Sequence, residues 1–440
     1  MELRDLIVTP IIIFLVYAGA YWIRPYVTDA INRKYFIPAL TVRIIGALAV
    51  GFLYQFYYDG GDTFNFHTHG SRHVWEAFMD SPLTGFKLIF SSGQYDGDVF
   101  KYASQIPFYR DPSSYTIIKI SSIFDLITFS SYSATAVLFA TLSFIGLWLL
   151  FKTFYVQYPE LNKFLAIACF FIPSVFFWGS GLLKDTITLS ALGLMVYSSY
   201  YLFVLRVNKV ITFICLSGSI YILYAVKIYI LLILLPSLII WIFLLKLSYI
   251  RSVATKITLA PIVMLFAVLL AGLSLVKASE DNPKYSLGKL AETAKVTAYD
   301  IRFWSGRDAG SGYSLGELDG SFASVLKLGP SAINVTLFRP YFWEAKNPLM
   351  LISSIESFFL LVLVVATLIN GRLRVFRTLT DPTILFCLLF SIVFAFAVGV
   401  STFNFGTLSR YKIPMLPIFV IALILINYKL KNFKKLSSLD

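Results

Sequence analysis

The sequence predicts an all-α polytopic membrane protein, with about eleven transmembrane helices and two long extracytoplasmic loops carrying interfacial helices. Three observations lead there. Apolar residues make up 58% of the 440-residue chain and charged residues only 14%. Apolar runs of roughly 17–25 residues, long enough to cross a bilayer as helix, recur along its length. Lys and Arg gather in alternate short connections between those runs.

The runs begin near Leu6, Ile37, Ser133, Phe164, Thr186, Val210, Ile228, Ile257, Leu349, Thr383 and Ile413. Those near Val210 and Ile228 share one apolar stretch broken by Lys227. Leu6–Ile23 is long for a cleavable signal and lacks a small-residue cleavage site, so it reads as a retained span. One set of connections holds seventeen Lys and Arg, among them Arg33, Lys34, Arg251 and Arg372, against Asp29, Glu160, Asp381 and Asp440. That basic side is cytoplasmic by the positive-inside bias, which puts the N-terminus outside and the C-terminus inside. The net charge of +13 is thus mostly a topology signal. Its basic residues are scattered over short loops rather than gathered on one soluble face, so a nucleic-acid partner is excluded. Cys169, Cys215 and Cys387 all lie in predicted spans, read as small buried apolar residues, and imply no disulfide or metal framework.

No separate soluble domain or internal repeat is visible, and residues 1–440 read as a single integral membrane domain. The two long outer loops are 58–132 and 277–348. In the first, Thr63–Met79 has the pattern of a helix, with Asp62 or Thr63 as N-cap. Tyr115–Phe129 is apolar enough for a short interfacial or re-entrant helix. In the second, the glycine-rich stretch 305–321 reads as a mobile surface loop or a lid that orders on a ligand.

All three histidines lie in the first outer loop, behind Asp59-Gly60-Gly61-Asp62-Thr63. The glycines let the chain turn sharply as it leaves a span, which would hold Asp62 at the membrane boundary. There it is either a helix cap or a general base, partly shielded yet reachable by substrate. Asp59 is its understudy. On the helix, His69, Arg72, His73 and Glu76 fall on one face, whereas His67 points elsewhere. His69 and His73 at i, i+4 have metal-ligand spacing but lack the rest of a metal motif. They read first as a substrate-facing or solvated surface. No cofactor follows, and a divalent metal is not favoured.

Cationic residues stand at other loop ends. Lys184 and Asp185 open a span, where helix N–H groups favour an anion; the competing reading is a snorkelling lysine beside a capping aspartate. Arg339 closes the second loop with Tyr341, Trp343 and Glu344. Its guanidinium suits a phosphate or carboxylate, and the rings suit sugar faces or the membrane interface. Arg410 and Lys412 precede the last span on the less basic side, and Lys227 interrupts an apolar run. The predicted topology puts Asp62, Lys184, Lys227, Arg339, Glu344 and Arg410 at one membrane face.

Gly60-Gly61-Asp62-Thr63, the segment Pro173…Trp178…Lys184-Asp185 and Arg410-Tyr411-Lys412-Ile413-Pro414 together resemble GT-C-type membrane glycosyltransferases and related bacterial surface-polysaccharide enzymes. The resemblance implies transfer of a sugar from a polyprenyl-phosphate carrier to a hydroxyl of a glycan or lipid acceptor. It also implies an active site on the extracytoplasmic face of the bacterial inner membrane, with Asp62 or Asp59 as base. Two features depart from that pattern: the acidic motif follows the second span rather than the first, and Asp59-x-x-Asp62 replaces the usual x-separated acidic pair. The physical case runs parallel. A lipid-phosphate donor needs cations at interface depth, which Lys184, Arg339 and Arg410 supply, and its leaving group departs as an anion those cations stabilise. His69, His73, Asp185, Trp343 and Glu344 are then substrate contacts. A repeat-unit polymerase of lipid-linked oligosaccharides would use the same face, with Arg339 and Arg410 as its arginines. A lipid-linked-sugar flippase would need ionisable residues within several spans, where this chain offers only Arg43 and Lys227.

Overall fold

The computed structural model describes residues 2–248 and 327–436, with isolated positions between them (296, 299, 311–313, 315 and 323). The predicted span near Ile257 and most of the glycine-rich stretch 305–321 lie outside the described residues. Among the described residues the structure is helical, and its only β feature is an isolated bridge between Gly312 and Asn404. Among the described residues, seven helices are long and apolar enough to cross a membrane, or eight if a pair bent by 67° (Phe405–Tyr411 and Leu416–Asn432) counts as one span. The protein is an integral membrane protein.

Two compact units divide the chain where the sequence shows no boundary. Unit one is Met1–Ser198 with Phe213–Ile228, and unit two is Ser199–Thr212 with Tyr229–Asp440. In unit one, α1 (Leu3–Val27) and α2 (Arg33–Phe56) pack against α8 (Tyr132–Gln157). Between α2 and α8 the chain forms α3 (Asp62–Phe66), a π-helical turn (His67–Ser71), α4 (Arg72–Asp80), α5 (Pro82–Phe90), α6 (Phe100–Ala103) and α7 (Pro112–Thr128). Asp111 starts α7 by accepting hydrogen bonds from the Ser113 and Ser114 N–H groups, with Pro112 behind it, where a missing N–H costs nothing. The same cap-then-proline device starts two spans of unit two, α14 (Pro348–Gly371) after Asn347 and α16 (Pro382–Ser401) after Asp381.

The apolar run near Phe164 is not one helix. It forms α9 (Asn162–Phe170) and α10 (Pro173–Trp178), parted at Phe171 and Ile172, because Pro173 cannot continue a preceding helix. A short turn then leads into α11 (Lys184–Tyr200). The runs near Val210 and Ile228 are the two arms of α12 (Lys209–Ser248), which meet at Lys227, where the backbone leaves helical geometry (φ −144°, ψ 77°). Unit two adds α13 (Gly329–Phe338), α15 (Arg374–Thr378), α17 (Phe405–Tyr411) and α18 (Leu416–Leu436). Here α16 packs on α13 and α18, and α14 on α18.

Candidate active site

The site grows from the way α2 ends. Asp59, Gly60 and Gly61 all have positive φ (52°, 124° and 118°), a conformation glycine enters without strain. This turn carries the chain from the end of a span into α3. Gly61, not Asp62 or Thr63, takes the N-cap position, and it offers no side-chain cap. Asp62 is therefore the first helical residue, half-buried, while Asp59 is exposed on the turn. Behind Asp62, the Thr63 hydroxyl shares a buried 2.7 Å hydrogen bond with the Tyr132 hydroxyl, tying α3 to α8.

Lys184, the first residue of α11, faces a hydroxyl, a carboxylate and an aromatic ring. Its Nζ lies 2.7 Å from Ser113 Oγ and 3.4 Å from Asp111 Oδ2, and 5.9 Å from the centre of the Phe66 ring. The charges of Asp111, Lys227 and Asp62 all act on it. Burial pushes the Asp111 carboxyl up, but hydrogen bonds from Ser114 and Ser113 and the Lys184 charge outweigh it and hold it below the usual carboxylate range. One residue on, Asp185 is almost completely buried, and its Oδ1 lies 2.5 Å from Lys227 Nζ. The kink in α12 is what presents Lys227 there. Unit one thus gathers Asp62, Asp111, Lys184, Asp185 and Lys227 from four separate stretches of sequence.

The histidines are arranged differently from the helical-wheel expectation. The π turn His67–Ser71 interrupts the i, i+4 register on which the shared face of His69 and His73 rested. His69 is exposed; His73 pairs with Glu76 (Nδ1 to Oε2, 3.1 Å), and Arg72 reaches Glu2 (2.6 Å). His67, expected to point away from the chemistry, is the fully buried one, with Nε2 3.4 Å from Asp125 Oδ1. Asp125 also accepts from Ser71 Oγ (2.6 Å) and Thr135 Oγ1 (2.7 Å). Among the described residues, no group of three or more His, Cys, Asp and Glu side chains is placed to hold a metal ion. Cys169, Cys215 and Cys387 are free thiols.

The remaining predicted residues belong to unit two. Arg339 makes a two-pronged ion pair with Glu344, whose carboxylate also accepts the Tyr341 N–H at 2.8 Å. The guanidinium sits over the rings of Tyr313, Tyr341 and Phe405 at 5.4–5.9 Å. Burial pushes the Glu344 carboxyl up, but Arg339 and the Tyr341 N–H hold it below its ordinary range. Trp343 is 80% exposed and stacked on Tyr341 (4.8 Å between ring centres). Arg410 is half-buried at the end of α17. Lys412, in the break before α18, is buried with its Nζ 3.2 Å from Ser357 Oγ and 3.9 Å from Glu356 Oε1. Ser357 in turn donates to the Arg339 carbonyl (3.0 Å).

Four residues of these clusters were not anticipated as site residues: Asp111, Asp125, Ser113 and Glu356. Asp111 is announced by the Asp-Pro-Ser-Ser cap signature, and Asp125 and Glu356 by a lone carboxylate within an apolar run. No protein-family model, curated protein or solved structure matches this chain.

Proposed function

We propose that the protein is a membrane glycosyltransferase that moves a sugar from a polyprenyl-phosphate donor to a hydroxyl acceptor at the extracytoplasmic face of a bacterial inner membrane. The observation that carries this reading is that the positive-φ turn after α2 sets a half-buried Asp62 at the start of α3, within reach of the charge of Lys184 at the start of α11. A carboxylate and an ammonium at the ends of two spans match what a lipid-anchored phosphate donor presents at the surface. Asp62 takes the proton of the acceptor hydroxyl as its oxygen attacks the anomeric carbon. The bond from that carbon to the phosphate oxygen breaks on the opposite side, and the configuration inverts. Lys184 stabilises the departing phosphate, and Asp111 and Ser113 hold the ammonium in place until donor arrives. Asp185 and Lys227 anchor the first turn of α11 from behind. The outward assignment of this face rests on the excess of Lys and Arg in the opposite connections.

The reading needs only groups of unit one as its core. Arg339, Arg410, Trp343 and Glu344 belong to unit two and form no part of that core, and Arg339 meets an anion only by sharing or leaving Glu344. The test is product analysis of purified protein supplied with polyprenyl-phosphate sugars and candidate acceptors. One added sugar is expected. A ladder of repeats would instead mark a polymerase, and a change of sidedness alone a flippase. Asp62→Asn is expected to lower the transfer rate by about 10²–10⁴ at a normal membrane level; full activity in that variant rejects Asp62 as the base.

A further inference from the structure

Arg43 lies in the interior of α2, fully buried, and donates to backbone carbonyls and serine hydroxyls. A charge at that depth is retained only where it performs a task. Its Nη1 is 2.8 Å from the Val175 carbonyl and 3.0 Å from the Gly179 carbonyl, at the open C-terminal end of α10. The Ser143 and Ser180 hydroxyls complete the ring at 3.3 and 3.4 Å. Both hydroxyls are themselves committed, Ser143 to the Gly179 carbonyl (2.6 Å) and Ser180 to the Phe176 carbonyl (2.5 Å). The Val175 carbonyl also accepts the Gly179 N–H (3.1 Å), and the Gly179 carbonyl the Ser143 hydroxyl, so Arg43 adds a charged donor to each carbonyl's second lone pair, at the negative end of α10.

These contacts draw one short stretch down onto α2. A Cβ on Gly46 would meet the Phe176 carbonyl oxygen at 2.2 Å, and one on Gly181 would meet Val50 Cγ1 at 2.5 Å. Only glycine permits that closeness. The last residue of that stretch held against α2 is Gly181, three residues before Lys184. The helix it is clamped to is the one whose far end delivers Asp62.

We propose that Arg43 is a positioning residue of the site: it fastens the α10–α11 turn to α2 and thereby sets where Lys184 stands relative to Asp62. The consequence for Lys184 rests on the glycosyltransferase reading; the clamp itself does not. Arg43 touches no reacting atom and acts through the turn alone.

Native cysteines read the clamp without new labels. Cys169 is buried near the end of α9, four residues before α10 begins, and Cys387 is buried in unit two. Alkylation of each by N-ethylmaleimide in the folded protein is followed by peptide mass spectrometry. Arg43→Gln is expected to raise Cys169 labelling about ten-fold through local opening, with Cys387 labelling unchanged. Arg43→Lys, which keeps the charge and donors, is expected to restore most of the protection. If Arg43→Gln fails to accumulate, Ser143→Ala loosens the same ring and is expected to raise Cys169 labelling by a smaller factor. Protection of Cys169 equal to wild type in Arg43→Gln, or in Ser143→Ala where that variant stands in, overturns the clamp. A parallel rise at Cys387 also overturns it, since that marks general unfolding.

The second arm measures binding of a short-chain polyprenyl phosphate to purified protein. Arg43→Gln is expected to lose affinity as Lys184→Ala does, by about ten-fold, and Arg43→Lys to regain it. Opened Cys169 with unchanged phosphate affinity overturns the positioning of Lys184. A wild-type protein that binds no polyprenyl phosphate rejects the donor reading instead, and leaves the cysteine result to decide the clamp.

Discussion

Two ion pairs, one in each unit, show how differently this chain handles buried charge. Lys227 and Asp185 come from segments 42 residues apart, are nearly inaccessible, and meet only because α12 kinks where the lysine sits. Arg339 and Glu344 are five residues apart in one turn, each still 19% exposed, and need little more than local geometry to find each other. The first pair has lost its water and depends on its partner. The second keeps part of its hydration, so its partner matters less. Position in the fold, rather than the chemistry of the two ions, therefore sets the worth of each contact.

That difference can be broken from either side. Asp185→Ala leaves Lys227 charged, buried and without its carboxylate, and is expected to destabilise the protein by about 3–5 kcal/mol. Thermal unfolding in mild detergent measures it; a loss below about 1 kcal/mol would show that the pair is hydrated like a surface one. Glu344→Gln is expected to cost less, about 1–2 kcal/mol, because Arg339 keeps its aromatic neighbours and some solvent. Equal losses in the two variants would abolish the distinction.

The smallest effect should appear in pH. Asp111 and Glu344 both titrate below their ordinary carboxylate values in the folded protein. A depressed folded pKa stabilises at pH above the unfolded value and loses that contribution as pH falls through the folded one. Stability from these groups should therefore be flat from neutrality to about pH 5 and fade below about pH 4. Comparing the unfolding midpoint of wild type with Asp111→Asn between pH 6 and 3 checks the sign. The gap between them should close toward acid, and a gap that widens would contradict it.

The ease of reading these regions from sequence follows the same division. Arg339 with Glu344 was visible as a short charged motif, and the structure joins them. Asp62 was visible because two glycines precede it. Lys184 and Asp185 were visible as a pair, but not that they point to different partners, one to Asp111 and one to Lys227. That His67 lies off the face of His69 was visible, but the local geometry that separates them was not. One π turn at His67–Ser71 breaks the regular helical register, which buries His67 and exposes His69. Nothing in His-Thr-His-Gly-Ser forces that turn by local propensity; it fits because Gly70 packs against Ile118 and Ser71 reaches Asp125 on α7.

By itself the sequence determined that the chain lives in a membrane as a largely helical protein. Those are properties of apolar length and of charge placement, carried by neighbours in the chain. Only tertiary structure decided that the chain forms two compact units, that Lys227 neutralises Asp185, and that Arg43 holds the turn before Lys184. Each of those depends on groups brought together from distant segments. Bare charge within an apolar stretch marks where such a partner is needed, but only the folded packing says which residue supplies it.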